Sequence, residues 1–311
     1  MLFEDISINI LSYNRLHFLE ENIDSIRKNK FLGTINIFDN GSDQKLLDFY
    51  IKSIKDKNLN WFSNPKGGTY SDNFNRALKN AVKNKKKYFL AFHDDDYLLP
   101  DMLSSQKAIL LSNSNCVAVS CNAKVINENS KIIRSKLIYN LGDRKYKKYN
   151  NAEEILMQKF SPSTIPFPPI IFKTNIINKV APLMYDLQKK FTQSIDILVL
   201  IELTKFGEII YNNNCLYASR EHILSDSKSF TFFEIQKFVI HSYIKYAANS
   251  LPLKKRIIDY YSAIFIRNII RNMFGFKIFM ILKIVITTDY KLISFSNIFK
   301  YIIKKIISFK L

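Results

Sequence analysis

Three aspartates stand consecutively at Asp94-Asp95-Asp96, directly after the apolar run Tyr88–Phe92. Like charges oppose one another's ionisation, so three adjacent carboxylates are costly unless a cation compensates them. Hard divalent ions such as Mg²⁺ and Mn²⁺ take oxygen ligands, commonly one or two carboxylates together with substrate phosphates. An acidic cluster at a strand end therefore suits a metal held against a diphosphate, although a solvated acidic turn reads the same way in isolation. Three further polar clusters weigh against that simpler reading: Ser12-Tyr13-Asn14, Asp39-Asn40-Gly41-Ser42 and Asn64.

Each cluster comes directly after a short apolar segment with strand character. Ile6–Leu11, Thr34–Phe38, Leu59–Phe62 and Tyr88–Phe92 read as four strands. Helical spacing connects them, around Phe18, Leu19, Ile23 and Ile26, over Leu46–Ile54, and over Phe74–Val82 with Ser71 as the expected cap. Strand–helix alternation at this pitch predicts βαβ units, an α/β fold with a mostly parallel sheet flanked by helices. Ligands in such sheets bind outside the carboxyl ends of the strands, where all four clusters fall.

The 311 residues carry 46 Lys and Arg against 27 Asp and Glu, a net charge of +19. Hydrophobic content of 47% and aromatic content of 14% exclude general disorder, and 7 Gly with 8 Pro exclude collagen-like sequence. From Leu253 onward there are 12 basic and two acidic residues, so about half of the excess lies in the last fifth of the chain. Such a tail invites an anionic partner: nucleic acid, a membrane surface or an acidic substrate. No stretch has the ~18 uncharged apolar residues of a spanning helix. Lys254–Arg271 instead keeps helical apolar spacing with basic residues interspersed, which fits an interfacial helix on an anionic membrane surface, with a subdomain packed on the core as the alternative. Glu4 and Asp5 occupy the place of a basic leader region, so no secretory signal is expected, and the setting expected is cytoplasmic. Cys116, Cys121 and Cys215 form no CxxC pair and suggest no disulfide framework. A basic nucleic-acid-binding protein is the competing class, but no helix-turn-helix, zinc or single-strand motif supports it. A non-catalytic membrane-bound scaffold of a glycan pathway is a third.

Ser161–Pro169 holds half of all the prolines and reads as a boundary or a site-shaping loop. Ile195–Thr204 reads as a buried helix ended by Gly207, with short strands after it at Ile209–Tyr211 and Cys215–Tyr217.

Taken together, Ile6–Arg15, Ile37–Ser42, Asn64–Gly68 and Phe92–Asp101 resemble, in order and spacing, the motifs of family 2 glycosyltransferases of the GT-A fold. The resemblance covers about residues 5–105 clearly and thins out toward 225. It implies an inverting, DXD-containing transferase moving a sugar from a nucleotide donor, a UDP-sugar on the strength of the acid at Asp39. It implies a base cradle at Ser12, Tyr13, Asn14, Asp39 and Asn64, and ribose and metal contacts from the acidic stretch. Asp94 and Asp96 are the expected metal ligands, with Asp95 as an alternate, donor-facing acid. The general base implied is Asp196, which opens a downstream helix, with Asp186 as fallback. The Arg220-Glu221-His222 element implies Arg220 against a phosphate and His222 near the metal, which would be Mn²⁺ or Mg²⁺. The expected organisation is a catalytic domain over 1–250, with a nucleotide-binding half (1–105) and an acceptor half (106–250), then a basic helical appendage over 251–311. The expected acceptor is a cell-surface glycan or lipid-linked oligosaccharide at the inner membrane face, with no nucleic acid partner.

Overall fold

A computed structural model describes residues 3–137, 144–160, 165–190, 195–222, 232–247 and 249–274, together with 293. Four strands run parallel: β1 (Ile6–Ser12), β2 (Ile35–Asp39), β3 (Leu59–Phe62) and β4 (Tyr88–His93). They are connected by α1 (Leu19–Lys28), α2 (Gln44–Ser53) and α3 (Tyr70–Lys83). β5 (Tyr97–Leu98) and α4 (Met102–Ser112) lead to β6 (Cys116–Ile126), β7 (Ile132–Arg134) and β8 (Tyr146–Tyr149). Next come α5 (Ala152–Lys159), β9 (Ile171–Lys173), α6 (Thr174–Lys190), α7 (Ile195–Leu203) and β10 (Glu208–Arg220), then α8 (Phe232–Tyr246) and α9 (Leu251–Phe274).

The strands form one ten-stranded sheet in the order β3-β2-β1-β4-β9-β6-β10-β5, with β7 on β6 and β8 on β10. The long ladders are parallel, and β9 is inserted antiparallel between β4 and β6, so β1–β4, β6 and β10 all point one way. Each central strand is buried on both faces. Ile6, Ile8 and Ile10 of β1 join Leu19, Ile23 and Ile26 of α1 in one core, while Leu11 meets Phe74, Ala77 and Leu78 of α3 in the other. Burying each such aliphatic side chain contributes ~1.5–3 kcal/mol, which is why near-continuous apolar runs become central parallel strands.

Several expectations change in detail. α3 is capped by Thr69, not Ser71: Thr69 accepts from the Asp72 amide while the Asp72 carboxylate accepts from the Thr69 amide, and Ser71 is buried as the second residue of the helix. The two short strands expected after Gly207 are one strand, β10, bulged where Asn212-Asn213-Asn214 interrupts the register with β6. Asn212 accepts the Asn214 amide and donates to Ser105, so the bulge carries its own polar partners. The basic stretch 130–148, whose composition predicts loops, contributes β7 and most of β8 to the sheet. Of the proline segment, 161–164 lie outside the described residues, and 165–170 lead into β9 without a helix.

α9 spans the expected amphipathic segment. Its Leu253, Ile257 and Tyr261 are buried in the core shared with α3, α5, α6, α7 and α8. This part of the basic appendage therefore packs on the body of the molecule. The expectations for 275–311, apart from Ile293, fall outside the described residues. Among the described residues no helix is long and apolar enough to cross a membrane.

Candidate functional site

The parallel strands deliver their loops to one edge of the sheet, where an open cleft of about 800 Å³ forms. It is lined by Ser12, Tyr13, Asn14 and Arg15 after β1, Asn40 and Gly41 after β2, Pro65–Gly68 after β3, Tyr70 and Asn73 of α3, and His93 of β4. The loops after β2 and β3 meet backbone to backbone. Gly41 has φ 91° and Gly67 φ 64°, and a side chain on Gly41 would lie 2.9 Å from the Gly67 backbone. Glycine is required here both for the left-handed conformation and for the close approach. Asn64 closes its own loop by donating to the Gly67 carbonyl at 2.7 Å. Asn14 accepts the Asp43 amide and its own amide donates to Ser42, so both asparagines organise the walls of the cleft.

Asp39 ends β2 and is 1% exposed. Its Oδ2 accepts the Gly41 and Ser42 amides at 3.1 and 3.2 Å, which fixes the carboxylate, while its buried Oδ1 makes no hydrogen bond. A buried acceptor left open is costly unless a ligand completes it. The Asn73 side chain donates to the Phe38 carbonyl at 2.7 Å, a structural contact that ties α3 to β2.

The aspartate triplet divides, because consecutive residues in a tight turn cannot all face one ion. Asp94 is fully buried and turned toward the first loop: its Oδ2 accepts Ser12 Oγ–H at 2.8 Å and the Tyr13 amide at 3.1 Å, and its Oδ1 pairs with Arg15 at 2.9 Å. Asp96 is turned toward β10, accepting the Arg220 amide at 2.8 Å and the Tyr217 hydroxyl. Asp95 lies between them, with Arg15 Nη1 at 2.7 Å and His222 Nε2 at 2.8 Å both on Oδ2, and with Oδ1 buried and without a hydrogen bond. His93, Asp95 and Asp96 bring one potential ligand atom each to within 4.8 Å of one another. The expected set of Asp94, Asp96 and His222 is therefore not the set brought together: Asp94 serves the first loop, and His222 reaches Asp95 instead.

Protonation depends on the surroundings. Burial pushes Asp94 up to about 6, with Arg15 opposing. Burial and the neighbouring Asp95 push Asp96 up to about 8. For Asp95 burial acts upward, but the positive charges of His93, Arg15 and His222 outweigh it and hold the carboxyl below its usual range. At neutral pH Asp94 and Asp95 thus keep their charge, and of these Asp95 has the oxygen without a partner of any kind. A nitrogen and two carboxylates around an unpartnered buried oxygen fit a hard or borderline divalent ion.

Arg220, expected against a phosphate, is 5% exposed and fully engaged within the protein. It donates to the carbonyls of Asp95, Asn127 and Glu128 and to Ser130 Oγ, pairs with Glu21, and stacks over Phe18 at 4.3 Å. It ties the acidic turn to α1 and to the end of β6, which makes it a positioning residue. Arg15 and Tyr217 are the site residues that sequence reasoning missed. Arg15 stands immediately after the Ser12-Tyr13-Asn14 loop, a signal that was present; Tyr217 meets Asp96 only through β10 and had none.

Asp196 stands in the first turn of α7, half-buried, and its charge reaches Tyr70 at the cleft. Asp186 is exposed on α6.

A sequence model described as glycosyl transferase family 2 matches residues 7–177. No curated protein sequence matches the chain. Among solved structures, Staphylococcus aureus TarS 1-349 in complex with UDP-GlcNAc is similar with a TM-score of 0.56 at 13% identity, over 83% of this chain and 71% of that one. The same TarS fragment in complex with UDP gives 0.54 at 13% identity, over 90% and 89% of the two chains. At that identity the likeness is one of fold.

Proposed function

The chain belongs to glycosyl transferase family 2 and has the GT-A fold, and from that premise we propose that it is an inverting, metal-dependent transferase using a UDP-sugar. The observation that carries the donor reading is Asp39, a fixed, buried carboxylate with one open oxygen, at the end of β2 immediately before Asn40 and Gly41 of the cleft wall. Such an oxygen accepts the imide N–H of uracil, whereas cytosine offers no N–H at that ring position. The TarS structures with UDP and UDP-GlcNAc support the same nucleotide. Tyr13, 53% exposed beside the cleft, supplies a face on which a base can stack.

His93 and Asp95, with Asp96 behind them, would hold a divalent ion, Mn²⁺ or Mg²⁺. Bound there, the ion would supply positive charge to the departing diphosphate. Asp196 takes the proton of the acceptor hydroxyl as its oxygen bonds to the anomeric carbon and the bond to the diphosphate breaks. Cations suited to a departing diphosphate, Arg15 and the metal-binding corner at His93, gather at the cleft.

The acceptor class proposed is a hydroxyl of a cell-surface glycan or lipid-linked oligosaccharide, in polysaccharide biosynthesis at the inner membrane face. Its support is the exposed basic set Lys255, Arg256 and Arg267 on α9, together with the 79% exposed Leu251 and 72% exposed Ile244. Basic residues near an anionic surface contribute ~1 kcal/mol each.

Calorimetry with UDP, GDP and CMP in the presence of Mn²⁺ tests the donor reading, with UDP expected to bind tightest. Asp39→Ala should weaken UDP by about tenfold or more, and Asp196→Asn should lower kcat by at least about 100-fold without weakening UDP. Equal affinity for the three nucleotides, or undiminished turnover in Asp196→Asn, would overturn the respective assignment.

A further inference from the structure

Tyr70 is the first residue of α3, where the helix has no local need of an aromatic side chain. Capping is already provided by Thr69 and Asp72, and the buried stripe of the helix begins at Ser71, Asn73 and Phe74. The Tyr70 side chain instead lines the cleft with 37% of the residue exposed, and its hydroxyl makes no hydrogen bond to any described residue. Its ring meets His93 edge-on, with centroids 5.5 Å apart and planes at 79°, and leans on Phe74 at 6.1 Å. Tyr70 therefore borders the metal-binding corner through His93 and faces the open cleft.

A displacement with inversion needs the attacking oxygen, the anomeric carbon and the leaving oxygen roughly in line. The leaving oxygen belongs to the diphosphate at the His93–Asp95 corner, and the transferred sugar is bonded to that oxygen. A side chain that meets His93 and lines the open cleft therefore borders the sugar. A tyrosine is suited to that position: an apolar face for the C–H face of a pyranose, and a polar tip for one of its hydroxyls. Resting on the donor reading above, we infer that Tyr70 forms a wall of the sugar subsite and helps to decide which UDP-sugar is used. The nucleotide is held elsewhere, by the loops after β1, β2 and β3, so the contribution of Tyr70 belongs to the sugar alone.

The test compares UDP with UDP-glucose, UDP-galactose and UDP-N-acetylglucosamine by calorimetry with Mn²⁺, on the full chain, Tyr70→Phe and Tyr70→Ala. UDP should bind all three proteins within about twofold. Tyr70→Ala should weaken the preferred UDP-sugar by about tenfold and narrow the spread among the three sugars. Tyr70→Phe, which keeps the ring, should recover most of that affinity while altering the preference among sugars that differ in one hydroxyl. Unchanged sugar affinities in Tyr70→Ala would overturn the inference. So would an equal loss for UDP and UDP-sugar, which would mean that the ring only supports His93. A wild-type chain that binds UDP but gains nothing from any sugar would overturn the sugar subsite while leaving the nucleotide reading intact. A wild-type chain that binds no uridine nucleotide would overturn the donor reading, and this inference with it.

Discussion

Two arginines at opposite ends of the sheet each clamp carboxylates, and they do different work. Arg27, at the end of α1 nearest the amino ends of the strands, donates to both oxygens of Asp56 at 2.6 and 3.0 Å and to the carbonyls of Phe31, Gly33 and Asn58. Asp56 Oδ1 also accepts the Asn58 amide, so the cluster is complete, with every oxygen of the acid engaged. Arg15, just before α1 at the carboxyl ends, pairs with Asp94 and Asp95, yet Asp95 Oδ1 is left buried and without a hydrogen bond. A closed network fixes a scaffold; an unfinished one, in a buried acidic turn beside a cleft, has a place for something else. The difference separates structural charge from candidate functional charge without reference to any relative.

The comparison breaks most clearly at Asp95. Replacing it with Ala should lower transfer by at least about 100-fold and abolish Mn²⁺ binding in calorimetry, with a fall in melting temperature as well, because Arg15 and His222 lose a buried partner. Mn²⁺ binding that survives in the Asp95 variant would mean that the two ends are equally structural.

Arg27→Ala should spare the reaction. Losing charged hydrogen bonds that tie three segments together should cost ~2 kcal/mol. For a chain of this size that corresponds to a drop of about 3 °C in melting temperature, with kcat/KM of the remaining folded protein within about twofold. A large loss of kcat/KM at unchanged stability would erase the distinction.

The smallest effect is on the acid limb of stability. The hydrogen bond from Arg27, more than burial opposes it, holds Asp56 below the usual carboxylate range. A depressed folded-state pKa contributes stability that is present above the ordinary value and disappears as pH falls through the folded one. Asp56→Asn should therefore lower stability at neutral pH and flatten its decline below about pH 4, as measured by urea unfolding across pH. An acid limb as steep as in the wild type would show that Asp56 is not a source of it.

Much of the edge that carries the site was legible in the sequence, because each of its loops comes directly after a strand with an unmistakable apolar run. Ser12, Asp39 and the aspartate triplet were placed at strand ends that way, and the first four strands form within a residue of their expected bounds. What was not legible was which way each acid faces. Asp94, Asp95 and Asp96 are chemically identical letters; their roles divide only because Ser12 and Arg15 approach from one side and Tyr217 and Arg220 from the other, more than 120 residues away in the chain. Arg220 was misassigned for the same reason: a guanidinium with its partners out of sight in the sequence looks available for a phosphate.

The sequence by itself determined the alternation of strands and helices, the polar loops at the strand ends and the acidic turn, because periodicity and local chemistry are properties of neighbouring residues. Only the tertiary structure decided that His93 joins Asp95 and Asp96, that Arg220 is held within the protein, and that α9 lays Leu253, Ile257 and Tyr261 against the core. Those outcomes depend on which distant groups occupy the same few ångströms, where hydrogen bonds and burial are shared among segments that the linear order keeps apart.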